Sequence, residues 1–563
     1  MPKSDAAAAC KSHSRNTRGS FLRRAAIWVG LALAGLTLPA WRADAAPASQ
    51  PAVGEAARAA ALIDQLNDPD AEARHAAGLQ LNSLGGEALP VVEAALKGEE
   101  LTPEERVRLN AAAKILRPRA VREARMRERQ KWETAAFING YDTGGKADTK
   151  YNALAHNAIA LYLQLGPDPV HGPTEPREKA LAALIATLKA GCEDPIIQSM
   201  YCIVDGHYPG ANSGLGVGIG HSANLCLAGH CSAAVKVRLW SGYLRMAGHA
   251  RQDEWARTGK VLAELAREPG VPPAEIDVVA DEYLNVAFVE RSSLEARDEY
   301  LDAYAAAAPN SVNVLVQRGR SAMNVANWLS RDFELGDNRP ERKQEFKECM
   351  AAAPKCLEEA WKKDPSDFRA AVWMLKLICN LGEEAGGRDA MELWFRRATE
   401  ANPDNYLPYQ DKLRYLRLNS RDTYDTEAVA LGRECLRTEN WRAGIPSLLV
   451  EVHDTLAEAS GDSGEYYSRP QVWADLSAVY EGGLLNFPAA VRMRCQYAKV
   501  AAKCGHWDVA DRQFKKIGDA PDLAVFGSRT SFEYLRKKAA RMASEKPQPS
   551  PEAQPQPDPA AVK

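Results

Sequence analysis

Two stretches of the chain decide the fold: EAWKKDPSDFRAA (Glu359 to Ala371) and RATEANPDNYLPY (Arg397 to Tyr409). In each, a charged run with helical character is interrupted by Asp-Pro or Asn-Pro, and a second run follows at once. Asp and Asn are favoured as helix caps, and proline is favoured in the first turn, where its missing N–H needs no partner. We therefore predict that Asp364 and Asn402 cap new helices.

Apolar residues on both sides of these breaks recur at helical spacing. The stripes are Ala371, Met374, Leu375 and Ile378, then Met391, Trp394, Phe395 and Ala398. Similar breaks occur at Asp168-Pro169, Asp194-Pro195 and Ala308-Pro309. A single helix pair cannot bury both of its apolar faces, whereas stacked pairs can. The pattern predicts an all-α chain in which helix–turn–helix units repeat from residue 134 to residue 540.

The segments LEEAWKKDPSDFRAAVWML and LWFRRATEANPDNYLPYQDKL resemble the tetratricopeptide (TPR) family. In that family a helix ends with a small residue, a bulky residue and Asp-Pro or Asn-Pro, and Ala360, Trp361, Asp364 and Pro365 occupy these places. The resemblance implies an α-solenoid with a concave surface that binds proteins or peptides. The chain departs from the family in its spacing of 38 residues between the two prolines, where the family repeat is about 34. The later stretch ALGRECLRTENWRAGIPSLLVEVHDTLAE is similar to poorly characterised exported bacterial proteins with TPR-like helices.

Helical periodicity is also clear before residue 118, in LIDQLNDPDAEARHAAGLQLNSLGGEALPVVEAAL and LTPEERVRLNAAAKIL. Thr102 to Glu105 has the pattern of a capping box with proline at the first helical position. Pro118 is predicted to end that helix. The segment resembles HEAT-type repeats, whose characteristic places are taken here by Asp68, Pro69, Arg74, Leu84, Gly85, Ala88, Leu89 and Pro90. This resemblance implies a shape and no activity.

A basic run follows between Arg117 and Lys131. We interpret it as a solvated linking helix, and a basic face for an anionic membrane surface is the alternative. The predicted organisation is a signal peptide (1–45), a HEAT-like domain (46–118), a charged linking helix (119–133), a TPR-like domain (134–540) and a Pro-rich disordered tail (541–563).

Residues 1–45 have the order of a secretory signal peptide. A basic segment ending at Arg24 precedes an uncharged apolar run from Ala25 to Ala40, and Ala43-Asp44-Ala45 offers a cleavage site. The run is shorter than the roughly 20 residues that span a bilayer. We predict cleavage after Ala45, export to the periplasm or the extracellular space, and no membrane span in the mature chain. An uncleaved N-terminal anchor on a structural protein of the cell envelope is the alternative.

Charge and cysteine content restrict the partners. Removal of residues 1–45 takes away seven Lys/Arg and two Asp/Glu, which leaves a formal net charge of −8. Nucleic acid is excluded as a partner because phosphate binding requires clustered positive charge. An oxidising compartment permits disulfides among the ten remaining cysteines. We expect one or two bridges at most, with Cys379 and Cys435 inside apolar helical runs as core residues.

One segment lacks the helical pattern: MYCIVDGHYPGANSGLGVGIGHSANLCLAGHC, from Met200 to Cys231. Its seven glycines predict a long Gly-rich loop between helix pairs. A phosphate-binding loop would require a lysine, and none is present. Long loops without secondary structure are often functional, so a ligand or partner is first sought here.

A metal site is the alternative use of this loop. Its candidate ligands are His207, His221, Cys226, His230 and Cys231, with Cys192 and Cys202 upstream. Imidazole and thiolate bind zinc, although no C-x-x-C or H-x-x-x-H pair fixes the geometry.

The remaining aromatic residues are interpreted as core. The set comprises Trp240, Tyr243 and Leu244 at helical spacing, and Trp361, Trp373 and Trp394. We therefore assign no catalytic, cofactor-binding or metal-binding residue. The sequence predicts an exported, non-enzymatic helical-repeat scaffold that binds proteins or peptides on a concave surface. A metal-binding protein or enzyme that uses loop 200–231 is the alternative.

Overall fold

The structure, a computed structural model, describes a helical protein. It covers residues 54–143, 150–165, 174–205, 219–229, 231–247, 311–334, 336, 339–420 and 422–545, with short pieces between 260 and 306. The predicted signal peptide and the Pro-rich segment from residue 546 onward lie outside these residues. Across the described residues the secondary structure is helical and contains no β-strand, which confirms the all-α prediction. Within that part of the chain, none of the helices combines the length and the apolar character needed to cross a bilayer.

The described chain forms two compact units. One consists of residues 117–415, and the other combines residues 54–116 with residues 416–545. The N-terminal helices are α1 (Glu55–Gln65), α2 (Ala71–Asn82), α3 (Leu89–Ala95) and α4 (Pro103–Thr143), with a short 3-10 helix at Gly86–Ala88. The predicted capping box is confirmed at the start of α4, because Thr102 N and Oγ1 both donate to Glu105 Oε2 at 2.7 Å.

The unit of residues 117–415 is built from consecutive helices that pack in pairs. They are α5 (Asn152–Leu163), α6 (Thr174–Lys189), α7 (Pro195–Asp205), α8 (Ile219–Ala228), α9 (Ala233–Ala247), α10 (Val312–Glu334), α11 (Pro340–Lys363), α12 (Phe368–Leu381), α13 (Gly387–Ala401) and α14 (Leu407–Asn419). Helix α10 packs against α11, and α12 packs against α13. The predicted apolar stripes of α12 and α13 are buried, from Ala371 to Ile378 and from Met391 to Ala398.

The other unit takes its remaining helices from the C-terminal part of the chain. They are α15 (Tyr424–Arg437), α16 (Leu448–Ala459), α17 (Ser463–Tyr467), α18 (Pro470–Asn486), α19 (Val491–Lys503), α20 (Trp507–Ile517), α21 (Leu523–Phe526) and α22 (Arg529–Ser544). Leu79 of α2 packs with Trp441, Leu449 and Val479. Helix α22 continues to Ser544, so the tail begins later than the predicted residue 541.

The predicted caps at Asp364 and Asn402 are wrong. Asp364 ends α11, where its N–H donates to the Ala360 carbonyl at 3.0 Å. The N-cap of α12 is Asp367, whose carboxylate accepts the Arg369 N–H at 3.0 Å. Asn402 likewise ends α13. The Pro-containing tetrapeptides are therefore turns between two helices, because the Asp364 carboxylate accepts the Ser366 N–H and closes a turn of its own.

The prediction that Pro118 ends a helix is also wrong, since α4 runs through it. A proline in a helix interior costs roughly 3 kcal/mol, so neighbouring contacts have to offset that cost. Leu116 is fully buried on one side of Pro118. On the other side, Arg119 is 2% exposed and donates to Asp404 through Nε at 3.0 Å and Nη2 at 2.8 Å.

This ion pair limits the interpretation of residues 117–131 as a solvated face to part of the run, since Arg119 is buried whereas Arg125, Arg127 and Lys131 are exposed. Arg122 also contacts the Asp404 carboxylate. Two arginines of the basic run are thus directed towards the turn between α13 and α14 inside the unit of residues 117–415. Val121 and Met126 of the same helix are exposed, so the run combines an inward basic row with an outward mixed face.

The predicted Gly-rich loop is wrong for part of its length. Residues 200–205 complete α7, and residues 219–228 form α8, which packs against α7 and α9. Cys226 is buried within α8, with its sulfur 3.6 Å from Ser199 Oγ. Cys226 packs into the core shared with α7 and α9, and its burial favours the helical conformation of this segment. Residues 206–218 and 230 lie outside the described residues.

Candidate functional site

Three helices of the unit of residues 117–415 carry a row of polar and aromatic side chains. We call it the hairpin face, since α10 and α12 begin successive helix pairs and α14 follows them. Its members are Asn313, Gln317 and Arg320 of α10, Arg369, Trp373 and Lys376 of α12, and Asp411 and Arg414 of α14. Their spacing of three and four residues places them on one side of each helix.

Asn313 joins α10 to α12. Its side-chain Oδ1 accepts hydrogen bonds from Arg369 Nη1 at 3.0 Å and from Gln317 Nε2 at 3.3 Å. Arg369 is held in turn by the capping carboxylate of Asp367, with an Nη2–Oδ2 distance of 2.6 Å. The N-cap of α12 therefore also orients the cation that contacts α10.

Trp373 occupies the centre of the row. The Arg320 guanidinium carbon and Lys376 Nζ each lie 4.7 Å from the centroid of its ring. The half-buried indole also packs against the apolar cluster of Val316, Ala360 and Ala370. Cations within about 6 Å of an aromatic face are attracted to it, so this ring is fixed in place with positive charge around it.

Asp411 brings α14 into the row. The Cys379 thiol of α12 donates to the Asp411 carbonyl at 3.0 Å. Burial raises the pKa of the Asp411 carboxyl to about 6, and the nearby charges of Lys376 and Arg414 offset part of that rise. The row therefore contains a carboxyl group that changes charge near neutral pH.

On this face, a buried donor and a buried acceptor lack a hydrogen-bond partner among the described residues. They are the donor Asn313 Nδ2 and the acceptor Asp411 Oδ2. Buried polar atoms in folded proteins are nearly always paired. A polypeptide main chain presents acceptors and donors together, so it supplies the kinds of partner that these two atoms need.

The interpretation of the tryptophans as core is confirmed only in part. Trp240 and Trp394 are buried, at 1% and 6% exposure. Trp361 and Trp373 are half-buried, and Trp361 contacts Trp394 edge-on at 6.0 Å under Arg397. The sequence does place two cations, Arg369 and Lys376, on the same side of α12 as Trp373. Only the fold shows that Arg320 of α10 lies against the same ring.

The candidate metal ligands are only partly brought together. Cys192, Cys202 and Cys226 are buried, and Cys231 is half-buried. Burial raises the pKa of the Cys202 and Cys226 thiols to about 12, which opposes the thiolate form that zinc requires. His221 belongs to α8, whereas His207 and His230 lie outside the described residues. No group of three or more His, Cys, Asp or Glu side chains suited to a metal ion occurs within the described part of the chain.

All ten cysteines in the described residues are thiols that form no disulfide with one another. Their pairing under oxidising conditions stays a prediction, with one or two bridges as the expected maximum.

A buried His–Asp pair lies in the other unit. His453 Nδ1 is 2.9 Å from the Tyr466 hydroxyl, and His453 Nε2 is 3.1 Å from Asp475 Oδ2. Burial by itself would raise the pKa of Asp475, but hydrogen bonds from His453 and Arg433 hold it below its usual value. All three of His453, Tyr466 and Asp475 are less than 10% exposed. The network therefore joins α15, α16, α17 and α18, and burial of its three central members suits a structural role.

A groove of about 530 Å³ lies between α2 and α4, with Val107 69% exposed on its rim. Its charged lining mixes both signs, since Glu104 contacts Arg108 at 2.8 Å and Glu439 lies on the same lining. It offers little electrostatic preference for a ligand.

The sequence matches no known family model, and no curated protein is similar enough to count as a relative.

Proposed function

We propose that this protein is an exported, non-enzymatic scaffold that binds an extended segment of another protein on the hairpin face. The observation that carries the proposal is the row across α10, α12 and α14. In it Trp373 lies between cations, and Asn313 Nδ2 and Asp411 Oδ2 are buried with no hydrogen-bond partner among the described residues. Aromatic and cationic side chains dominate the energy of protein interfaces. A main chain laid across the row would satisfy Asn313 and Asp411 while its side chains contact the indole.

We further propose that the helix pairs stack as an α-solenoid. In this arrangement residues 54–118 form HEAT-like repeats and the later helices form TPR-like repeats. The packing of α10 on α11 and of α12 on α13 supports this arrangement. Stacked pairs generate an extended concave surface suited to peptides.

The proposal of export rests on the sequence alone. The mass of the mature N-terminus tests it, with cleavage after Ala45 expected and an intact N-terminus contradicting it.

Selection from a displayed library of random peptides against the full chain tests the binding proposal. We expect enriched peptides whose affinity falls at least tenfold on Trp373→Ala, because truncation of a central aromatic residue typically costs 2 kcal/mol or more. Lys376→Ala, a half-buried position, gives a second variant that leaves the core intact. Trp361→Ala is the matched control, since it removes an indole of similar burial that packs on the same apolar cluster but lies outside the hairpin face.

The proposal fails if no peptide is enriched. It also fails if Trp361→Ala and Trp373→Ala weaken binding equally, because a general loss of helix packing would then explain both.

A further inference from the structure

A second surface lies at the C-terminal end of the described chain, in the unit that combines residues 54–116 with residues 416–545. Helices α19, α21 and α22 enclose a groove of about 410 Å³. Phe526 and Leu535 contribute apolar side chains to its lining, and Tyr534 stands on its rim with 67% of its surface exposed. We call this the C-terminal groove. An aromatic side chain so exposed beside an apolar lining is typical of an interaction site.

The charge around this groove is positive. Helix α22 carries five basic residues (Arg529, Arg536, Lys537, Lys538 and Arg541) and only one acidic residue (Glu533), whereas the whole chain is net negative. Lys537 and Arg541 follow Tyr534 at three and seven residues, so they extend from the same side of the helix. Both are exposed.

A fixed lysine adds to this charge inside the groove. Lys499 of α19 lies in the lining and donates its Nζ to the Val525 carbonyl at 2.8 Å. That bond leaves the ammonium charge in place and prevents the side chain from turning away. The local acids lie against cations: Glu533 contacts Arg536 at 2.6 Å, and Asp522 lies 3.6 Å from Arg492. Glu545 lies 3.9 Å from Arg541 in an exposed pair that salt weakens, so Lys499 and Lys537 carry most of the positive charge.

We propose that the C-terminal groove binds an acidic peptide segment of a partner protein, with one apolar side chain of that segment packed beside Tyr534. Charge complementarity identifies the occupant: a cationic rim attracts carboxylates, and the apolar lining selects a segment that carries an aliphatic or aromatic residue among its acids. The surface goes beyond the hairpin face and does not depend on it, since it belongs to the other compact unit.

An anionic membrane is a poorer fit to the same helix. A helix that lies on a bilayer presents large apolar side chains outward. In α22 the large apolar Phe532 is fully buried against the protein, and Tyr534 is the exposed aromatic residue. A concave site suits a protruding side chain better than a flat lipid surface.

The test uses the full chain and a fluorescent synthetic peptide of glutamates around a central leucine. We expect saturable binding in fluorescence anisotropy that weakens with added salt, and little binding of the matched lysine peptide. Tyr534→Ala should weaken binding about tenfold, as should Lys537→Glu combined with Arg541→Glu. All three positions are exposed, so these variants should fold, and circular dichroism checks this.

Matched controls come from the same compact unit. Leu485→Ala removes another exposed apolar side chain, and Lys516→Glu reverses another exposed charge. Neither should change the affinity. The proposal is overturned if the lysine peptide binds equally well, if the controls weaken binding as much as Tyr534→Ala, or if anionic lipid vesicles bind while the glutamate peptide does not.

Discussion

Asp411 shows how burial at one residue changes the behaviour of the hairpin face. Its carboxyl is 8% exposed, and its pKa is raised from the ordinary 3.8 to about 6, chiefly by burial. The folded state therefore holds the proton more tightly than the unfolded state does. Below the ordinary pKa this group contributes its full stabilisation, and that contribution is lost as the pH rises through the folded pKa.

We predict that Asp411→Asn removes this pH dependence. Between about pH 4 and pH 6 the wild-type free energy of unfolding should fall by up to about 3 kcal/mol relative to the variant. Urea unfolding across this range measures the difference. Asp389→Asn, which changes an exposed carboxylate of α13, should follow the wild type. Parallel pH profiles for wild type and Asp411→Asn would show that burial of this carboxyl has no energetic consequence.

Sequence patterns were informative about individual residues where a local rule decides the outcome. The Thr102 capping box formed as predicted because its two partners are three residues apart on the same turn. Asp364 did not cap a helix, because the following Pro and Ser allowed it to close a turn of its own. Trp373 was assigned to the core because its cationic neighbour Arg320 lies 53 positions earlier and only tertiary packing brings the two together.

At the scale of the element, α4 depends on contacts that its own sequence does not reveal. Its periodicity stops at Pro118, yet the helix continues because Arg119 and Arg122 bind Asp404 on a distant turn. The basic run thus attaches α4 to the α13–α14 turn. Removing one partner of such a pair leaves a buried charge without its counter-ion. The loss of folding free energy is then much larger than for an exposed ion pair.

We predict that Asp404→Ala destabilises the unit of residues 117–415 by about 3 kcal/mol, because Arg119 is almost fully buried and would lose its counter-ion. Chemical denaturation measures the change. Asp508→Ala is the matched control, since it breaks an exposed ion pair with Arg512 at 2.9 Å and should cost no more than about 1 kcal/mol. Equal losses for the two variants would argue that the Asp404 contact is only a surface pair.

At the scale of the whole molecule, the two ends of the described chain meet in one compact unit. The Ser83 hydroxyl donates to Asn486 at 2.8 Å, and Arg442 contacts Glu55 at 3.4 Å. The ring of Trp441 lies so close to Gly482 that any Cβ at this glycine would collide with it. The helical periods predicted the individual helices well, but periodicity carries no information about which distant helices become neighbours.

Two leucines of α2 pack against different parts of this compact unit. Leu81 packs into the core that α1 to α4 form among themselves, whereas Leu79 packs against Trp441 and Leu449 of the C-terminal segment. Both leucines are almost fully buried, at 0% and 3% exposure. The two side chains are therefore a matched pair for asking whether the N-terminal helices stabilise the C-terminal ones.

We predict that Leu79→Ala lowers the free energy of unfolding by 2–5 kcal/mol, the usual range for a buried leucine. It should also accelerate amide hydrogen exchange in α15 and α16, far away in sequence. Leu81→Ala should cost a similar amount but act first on exchange in α1 to α4. If Leu79→Ala changed exchange only within residues 54–116, the N-terminal helices would be an independent domain. Their contacts with Trp441 would then contribute little to the stability of the C-terminal segment, because local unfolding reports which elements share a cooperative unit.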